Sequence, residues 1–319
     1  MSLSTVLCSW YPLGLSKDVK KGGAITVDVL GHALVVFRTK KGELGVLSRH
    51  CPHMGGDLSR GQVSENGVVC PIHHWEFDTQ GALLIASNSK AVHSPACQAS
   101  VSCLERWGLI FAFFGEEPYF DFPNTEGEVF CAAPILSDKD MNYTVPSLFG
   151  FDSEHFKTVH HRDLTEMTIY RYSEGHIGTR LVAAIGVTRW SDRLMRWLGV
   201  KEVKNDIDYW AGNIVFGSHE KTKTHVLITT LPLAENRSRV FVVVLQEKPS
   251  GNWIKQCLGW FRFQISIPLI QAFVRQDEVA LDGVRFNAST SKHRSDNQIT
   301  EWLEHVKRLP EISTSEILK

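Results

Sequence analysis

The first third of the chain alternates short apolar runs with glycine and proline, a pattern typical of short antiparallel strands. Residues 24–31 and 33–38 are rich in β-branched and apolar side chains, and a Gly-His turn lies between them. A later apolar run, residues 108–115, has the composition of a buried strand that closes a domain. Residues 1–117 are therefore predicted to form a small antiparallel β-domain.

The rest of the chain has a different pattern. Residues 118–140 are rich in proline, acidic residues and asparagine, so they are predicted to be a linker. Residues 251–288 place apolar side chains at helical spacing, and this helix is predicted to break at Pro268 because proline removes a backbone donor. Four segments have the composition of strands: 168–188, 208–216, 222–232 and 238–247.

The fold class predicted is α+β. An N-terminal antiparallel β-domain is followed by an α+β domain, residues 141–319, with a curved antiparallel sheet and a long C-terminal helix. The length of 319 residues suits two domains. With 34 Lys and Arg against 35 Asp and Glu, the chain has no net field to attract nucleic acid, which is not an expected partner. The apolar stretch 254–274 contains Lys255 and Arg262, so no stable membrane anchor is expected, although peripheral association stays open.

Two short clusters carry metal-ligand chemistry. They are Cys51-Pro-His53 and Cys70-Pro-Ile-His73, and sixteen residues separate His53 from Cys70. Two thiolates on one iron and two imidazoles on the other are the ligand set of a Rieske [2Fe–2S] centre. A structural zinc site is the alternative, but such sites usually group the cysteines before the histidines, whereas here they alternate. Electrons are therefore expected to pass through this protein.

The other features of the sequence indicate where those electrons come from and where the protein works. No G-x-G-x-x-G motif opens a helix after a strand, so a separate protein is expected to supply the electrons. Residues 1–12 lack the charged and apolar regions of a signal peptide. Five further cysteines show no repeating spacing and are predicted to be free thiols in a reducing cytoplasm: Cys8, Cys97, Cys103, Cys131 and Cys257.

A second candidate metal site lies beyond the linker. The spacing Asp152-x-x-His155-x(4)-His160 places two imidazoles and a carboxylate within nine residues. Mononuclear non-haem iron(II) sites use two histidines and one carboxylate. On an ideal helix, residues five apart point about 140° away from each other. His155 and His160 are therefore expected to share a metal only if the helix ends or distorts between them.

Together the two motifs resemble the Rieske non-haem iron oxygenases, the aromatic-ring-hydroxylating oxygenase α-subunit family, and in particular its short, single-component type. The resemblance covers nearly the whole chain, and it implies a Rieske domain over residues 1–117 and a catalytic domain over residues 141–319. It assigns Cys51, His53, Cys70 and His73 to the cluster. Two positions depart from the usual motif, which has Arg where Met54 stands and Gly where His74 stands.

The same resemblance assigns His155, His160 and Asp277, on the long C-terminal helix, to a mononuclear Fe(II). Glu278 and Asp282 are competitors for the third ligand position, and His161 is interpreted as lying outside the ligand set. Asp152 is implied to be a bridging acid, hydrogen-bonded to His155 and to a cluster histidine, His73 by position, of a neighbouring subunit in a head-to-tail homotrimer.

The resemblance implies the oxygenase component of a monooxygenase. It would use O2 and electrons from an NAD(P)H-dependent reductase or ferredoxin to hydroxylate or demethylate an apolar or aromatic small molecule. A cis-dihydroxylating dioxygenase and a non-catalytic Rieske electron carrier are the alternatives. Seven aromatic residues are expected to give the second domain its aromatic surface: Phe151, Phe156, Trp190, Trp210, Phe216, Trp260 and Phe263.

Overall fold

A computed structural model describes residues 3–86, 97–184, 193, 197, 202–286 and 297–318. The chain forms two compact units. The first comprises Met1–Pro118, Pro232–Ala234 and Pro310–Lys319, and the second comprises Tyr119–Leu231 and Glu235–Leu309. Antiparallel strands dominate both units and the longest helix lies near the C-terminus, which confirms the predicted α+β class.

The first unit is built from short antiparallel strands. In the described residues they form sheets with the orders β1-β20, β10-β11-β2, β3-β4-β5 and β6-β7-β8-β9. The strands are β1 (Thr5–Leu7), β2 (Ser9–Leu15), β3 (Gly23–Val29), β4 (His32–Arg38), β5 (Leu44–Ser48), β6 (Gln62–Val63), β7 (Gly67–Val69), β8 (Glu76–Asp78), β9 (Leu83–Ile85), β10 (Cys103–Arg106), β11 (Leu109–Phe114) and β20 (Glu311–Ser313), with single 3-10 turns at Ser16–Asp18, Leu58–Arg60 and Thr314–Glu316.

One core cluster of this unit connects its sheets to the two cysteine loops. Phe37 of β4 and Phe77 of β8 are fully buried in it, together with Cys51 and Cys70. Strand β4 lies between β3 and β5, and its central residues are buried without alternation. A strand covered on both faces needs such a continuous apolar run. The two loops that begin at the cysteines are therefore anchored in the core at their first residues.

The second unit contains an antiparallel sheet, eight-stranded in the described residues, with the order β12-β19-β18-β17-β16-β15-β14 and β13 also paired with β19. Its strands are β12 (Val129–Cys131), β13 (Ile135–Lys139), β14 (Leu164–Ser173), β15 (His176–Ala184), β16 (Glu202–Trp210), β17 (Ile214–His219), β18 (Thr224–Ala234) and β19 (Arg237–Glu247), and its helices are α1 (Val145–Phe149), α2 (Ser153–Thr158), α3 (Trp253–Leu281) and α4 (Asn297–Val306).

The predicted linker over residues 118–140 is wrong in its second half. Strands β12 and β13 lie there, and both pair with β19. The acidic composition that indicated a linker has another cause, because Asp138 forms ion pairs with Arg239 at 2.6 Å and Arg237 at 3.5 Å. Charged residues are common both on exposed strand faces and in linkers, so only the cross-strand partners distinguish the two.

The predicted break at Pro268 is also wrong, because α3 continues through this residue. Proline deprives the carbonyl group of residue 264 of its helical donor, but Gln264 is exposed, so water can take that place. Of the described helices, α3 has the length and mean hydropathy (1.3) required to span a membrane, and 17% of its most apolar window is buried.

Two further predicted boundaries differ from the structure. The predicted strand over residues 208–216 is a hairpin of β16 and β17, because Ala211 (φ 42°) and Gly212 (φ 73°) form a tight turn. Left-handed backbone at two consecutive residues matches the twist of a hairpin. The C-terminal end of the predicted second domain is part of the first unit instead, because β20 pairs with β1 and residues 310–319 belong to that unit.

Candidate metal centres

The first candidate centre consists of two loops in the first unit. Cys51 follows β5 and Cys70 directly follows β7. In the first loop the Cys51 amide donates to the Gly56 carbonyl at 2.8 Å, and in the second the Cys70 amide donates to the Trp75 carbonyl at 2.7 Å. Each loop is therefore a closed turn that begins at a buried cysteine.

The two cysteine sulfurs lie in a buried environment suited to thiolate ligands. Cys51 is 3% exposed and Cys70 is 1% exposed. Burial raises the pKa of the Cys51 thiol and the neighbouring Cys70 thiol raises it further, whereas the backbone N–H groups of His53 and Met54 hydrogen-bond to it and lower its pKa. These N–H groups are positioned to stabilise a negative sulfur. A cationic cluster core at this position would favour the deprotonated form of both thiols.

Gly56 preserves space beside the second sulfur. A Cβ atom at this residue would lie 2.8 Å from Cys70 Sγ, closer than real Cβ atoms approach their neighbours, and 3.0 Å from the Ile72 side chain, which is also a tight contact. The space next to the sulfur is therefore available to an inorganic group but not to a side chain.

The two histidines of these loops are more accessible than the cysteines. The His53 and His73 ring centroids are 4.5 Å apart, and His53 also stacks on Trp75 at 4.5 Å with an interplanar angle of 2°. Trp75 thus holds the His53 ring in place, while His53 itself is exposed. The next residue after His73, His74, has φ 56°. Buried thiols on one side and accessible imidazoles on the other fit a Rieske cluster.

The second candidate centre begins at helix α2 of the second unit. The Asp152 carboxylate caps this helix, since its Oδ1 accepts the N–H groups of Glu154 at 3.0 Å and His155 at 3.2 Å. The helix ends at Thr158, before His160. The condition set by the spacing is therefore met, because the helix ends between the two histidines and their rings lie 5.1 Å apart.

Asp277 on α3 completes this centre. Its Oδ1 accepts hydrogen bonds from His155 Nε2 and His160 Nε2, each at 2.9 Å. The three candidate ligand atoms all lie within 4.8 Å of one another. Burial opposes the ionisation of Asp277, but the hydrogen bonds from His155 and His160 outweigh it and lower the pKa of the carboxyl group. Two imidazole nitrogens and a carboxylate oxygen at these distances suit a divalent iron.

Neighbouring side chains orient the two imidazoles. The Phe273 ring stacks on His160 at 4.0 Å, and the Phe149 ring meets His155 edge-on at 5.3 Å. Gln276 Oε1 lies 3.4 Å from His160 Nδ1, so the amide oxygen can accept a proton on Nδ1 in the tautomer whose Nε2 binds a metal instead of donating to Asp277. The sequence did not identify Phe149, Phe273 or Gln276 as residues that orient the imidazoles. Of the three, only Gln276 could have been found from the sequence, because it directly precedes the predicted ligand Asp277.

Glu278 and Asp282, the other candidates for the third ligand position, form hydrogen bonds elsewhere. Glu278 accepts a hydrogen bond from Ser137 at 3.0 Å, and Asp282 accepts one from the Asp140 amide at 2.8 Å. His161 is exposed and has φ 54°, a backbone conformation that turns the chain away after His160. Asp152 lies at the start of α2, and its side chain bonds to the backbone of His155.

A cavity of about 630 Å³ opens beside this centre, and His155, His160 and Asp277 lie in its wall. Most of the other lining side chains are apolar. Of the seven aromatic residues that the sequence suggested, Phe156 lines the cavity, four are core residues and Trp260 is exposed. Trp190 lies outside the described residues. The other aromatic residues of the lining are Phe149, Tyr209 and Phe273.

Comparison with known proteins bears on the first unit and on the overall fold. Residues 9–96 match the family of the Rieske [2Fe–2S] domain. A relative from Rhodococcus rhodochrous, the oxygenase component of 3-ketosteroid-9-alpha-monooxygenase, is 36% identical over 104 residues, which are 33% of this chain and 27% of that protein. The match thus spans about a quarter of that relative's length and is similar in size to the Rieske domain.

Solved structures extend the similarity to the whole fold. Dicamba monooxygenase bound to dicamba is 16% identical with a TM-score of 0.67, covering 96% of this chain and 98% of that one. The quaternary ammonium Rieske monooxygenase CntA is 14% identical with a TM-score of 0.57, covering 98% of this chain and 89% of that one. The chain therefore carries a Rieske [2Fe–2S] domain and resembles the Rieske non-haem iron oxygenases in its fold, in line with the resemblance seen in its sequence.

Proposed function

We propose that this chain is the oxygenase component of a monooxygenase that hydroxylates or demethylates an apolar or aromatic small molecule. It would use O2 and take electrons from a separate NAD(P)H-dependent reductase or ferredoxin. One observation supports this most strongly: His155, His160 and Asp277 converge at the wall of a largely apolar cavity. A chain that served only to carry electrons would need neither that cavity nor that ligand set.

Each set of ligands has a distinct task in this proposal. Cys51, Cys70, His53 and His73 would hold the [2Fe–2S] cluster, and His155, His160 and Asp277 would hold the Fe(II). When bound, the cluster supplies single electrons and the iron supplies a site for O2.

The chain's own residues prepare the second centre for this chemistry. Asp277 would contribute a carboxylate whose negative charge offsets part of the charge of a divalent ion. Phe149 and Phe273 pack against the two imidazoles, which are both buried. The cavity gives an apolar substrate a dry surface next to the open side of the centre.

Asp152 and a homotrimer are part of the same proposal. His73 and Asp152 are both partly exposed, so each is accessible to a neighbouring subunit. A carboxylate that accepts the His155 amide proton and also contacts His73 of the partner subunit would link the two metal centres across the subunit boundary.

The test is oxygen uptake by the purified holoprotein with NADH, a surrogate reductase and a panel of apolar and aromatic compounds. We expect uptake that depends on a substrate, together with one oxygen atom from labelled O2 in a hydroxylated product or in the aldehyde released by demethylation. Two labelled atoms in a cis-diol would support a dioxygenase instead. Electron transfer to an acceptor protein without product from any compound would indicate a carrier.

A further inference from the structure

We infer that the cavity selects an extended polycyclic molecule with an apolar body and a neutral oxygen, a ketone or a hydroxyl group, at the end remote from the candidate iron. This inference rests on the proposed function and names its substrate class. It comes from the order in which residues of the sheet line the cavity floor, and from the matching order along α3.

The floor of the cavity consists of three cross-strand rows on β16, β17 and β18. The register of these strands pairs the lining residues as Tyr209–Val215–Ile228 in the first row, Ile207–Gly217–Val226 in the second and Asn205–His219–Thr224 in the third. The first row is largely apolar, the middle one contains a glycine, and the third is polar.

The first row lies at the metal end of the cavity. The Tyr209 hydroxyl donates to the Gly150 carbonyl at 3.2 Å, in the short segment between α1 and α2. Val215 and Tyr209 belong to one buried cluster with Phe151, and the partly buried Phe149 of that cluster contacts the His155 ring. The apolar first row is therefore beside the helix that carries His155.

The third row lies at the opposite end. His219 lies four residues after Val215 along β17, a distance of about 13 Å at the rise of a β-strand. Helix α3 follows the same order, since its cavity-lining face runs from Arg262 to Leu281, and Ser266, eleven residues before Asp277, is about 16 Å away from it along the axis. A molecule that reaches from the iron ligands to the polar row must therefore be longer than one aromatic ring.

The packing of α3 also indicates that its end remote from Asp277 lies near the polar third row. Phe263, at the end remote from Asp277, packs on Phe130 with ring centroids 5.9 Å apart. Phe130 pairs with Gln246, and the amide of the next residue, Glu247, donates to the Lys223 carbonyl, adjacent to Thr224. Gln246 also lines the cavity, so it adds a fourth neutral polar side chain to this end.

The middle row leaves room for a ring system. A Cβ atom at Gly217 would meet only the Val226 carbonyl oxygen, at 4.0 Å, so the space above this residue is open. Its backbone is not in the left-handed region. Glycine is unfavourable inside a strand, and here its lack of a side chain keeps the cavity continuous between the metal end and the polar end.

The polar end suits a neutral oxygen. His219 Nδ1 accepts the Thr222 amide proton at 3.3 Å, so in a neutral ring the proton lies on Nε2 and is available to an acceptor. Burial, together with Lys221, lowers the pKa of His219 and keeps the ring neutral at pH 7. A carboxylate buried here would meet neutral groups, and Arg262 at the same end is exposed, so its charge is screened by water.

The direct test measures ligand binding to the purified holoprotein by calorimetry, without turnover. The probes are testosterone, a polycycle with terminal oxygens, phenanthrene, a polycycle without oxygen, and dicamba, a single-ring carboxylate. We expect testosterone to bind most tightly of the three. His219→Phe should weaken testosterone binding about tenfold, the loss of a hydrogen bond to a partly buried group, and should change phenanthrene binding less than about twofold.

Gly217→Val tests the length of the cavity. The added Cβ comes no closer than 4.0 Å to a protein atom and the side chain blocks the middle row, so testosterone and phenanthrene should both bind at least about tenfold more weakly, while the melting temperature stays unchanged or rises. The control is Gly14→Val, which is the same change at a strand residue of the first unit with nothing within 4 Å of the added Cβ.

Three results would overturn the inference: dicamba binding more tightly than testosterone, equal loss of testosterone and phenanthrene binding in His219→Phe, or unaltered testosterone binding in Gly217→Val. None of these measurements needs oxygen or a reductase. A protein that binds testosterone but shows no oxygen uptake would therefore contradict the proposed function and leave the substrate class intact.

Discussion

The two candidate metal centres are built in opposite ways. The first takes its four ligands from two loops within residues 51–73, with its thiols buried and its imidazoles accessible. The second takes its ligands from α2, the residues just after it and α3, with Asp277 122 positions after His155, and both of its imidazoles are buried. Accessible imidazoles suit a centre that exchanges electrons with another protein, whereas buried ones suit a centre that handles substrate away from water.

This difference decides how each centre responds to substitution. The first centre is formed by two neighbouring loops, so it is sensitive to any side chain that replaces a glycine and fills the space between them. A centre built by distant elements depends on the ligands themselves and on the packing that brings two helices together.

The largest effect is expected for Asp277→Asn. Removal of this charged ligand should lower the affinity for Fe(II) by more than about 100-fold, since even residues that only orient a ligand contribute about 10–100-fold. Substrate-dependent oxygen uptake should disappear, while the Rieske electron resonance signal stays. The measurement is the iron content beside the sulfide content.

Asp282→Asn is the matched control for this substitution, because it alters an acid on the next turn whose carboxylate accepts a hydrogen bond from the Asp140 amide, away from the two histidines. A normal iron content in Asp277→Asn, or its loss in Asp282→Asn, would contradict the assignment of the third ligand.

The first centre should be most sensitive at Gly56. In Gly56→Ala the new methyl group would lie 2.8 Å from Cys70 Sγ, so the loop must move. We expect lower sulfide content and a stability loss of about 1–3 kcal/mol, the usual cost of overpacking. Gly127→Ala, where nothing lies within 4 Å of the added Cβ, is the control. A full sulfide content and an unaltered visible spectrum in Gly56→Ala would show that the space beside the sulfur is not needed.

Asp152 concerns both centres, because its proposed bridging role gives it a contact with each of them. Asparagine caps helices as well as aspartate does, so Asp152→Asn should keep the stability, whereas Asp152→Ala should lose about 1 kcal/mol. Both variants should keep their iron and sulfide but form less product per NADH consumed. If Asp152→Asn retains full coupling and only Asp152→Ala is impaired, the carboxylate acts as a helix cap and nothing more.

The smallest effect concerns two exposed histidines that follow a candidate ligand in each centre. His74 has φ 56° and His161 has φ 54°, a conformation that costs a non-glycine residue about 1–2 kcal/mol. His74→Gly and His161→Gly should each raise the free energy of unfolding by about 1 kcal/mol, measured by denaturant titration of the holoprotein. Only His74→Gly should alter the reduction potential of the cluster. A loss of stability in either variant would show that its ring makes a contact that outweighs the strain.

The sequence predicted the first centre more completely than the second for a physical reason. Ligands that lie in one local segment leave a motif with fixed spacing, as Cys51-Pro-His53 does. Asp277 leaves no such motif, because its role depends on the fold bringing α3 to α2, and the family resemblance alone indicated it. The orienting residues Phe149 and Phe273 were missed because an aromatic residue in a helix has the same pattern in a core as in a metal site.

The wrong predictions about elements have the same origin. Asp138 indicated a linker until its cross-strand arginine partners were seen, and Pro268 indicated a break that an exposed helix face accommodates. In both places a local propensity was outweighed by a contact or by solvent access that the linear sequence does not record.

The central claim, that one chain holds a Rieske cluster and a separate iron, is tested most directly by the metal and sulfide content of the purified protein. The account predicts three irons and two sulfides per chain, with the electron resonance signal of a Rieske centre. Two irons with two sulfides would contradict the second centre, and zinc without sulfide would contradict the first.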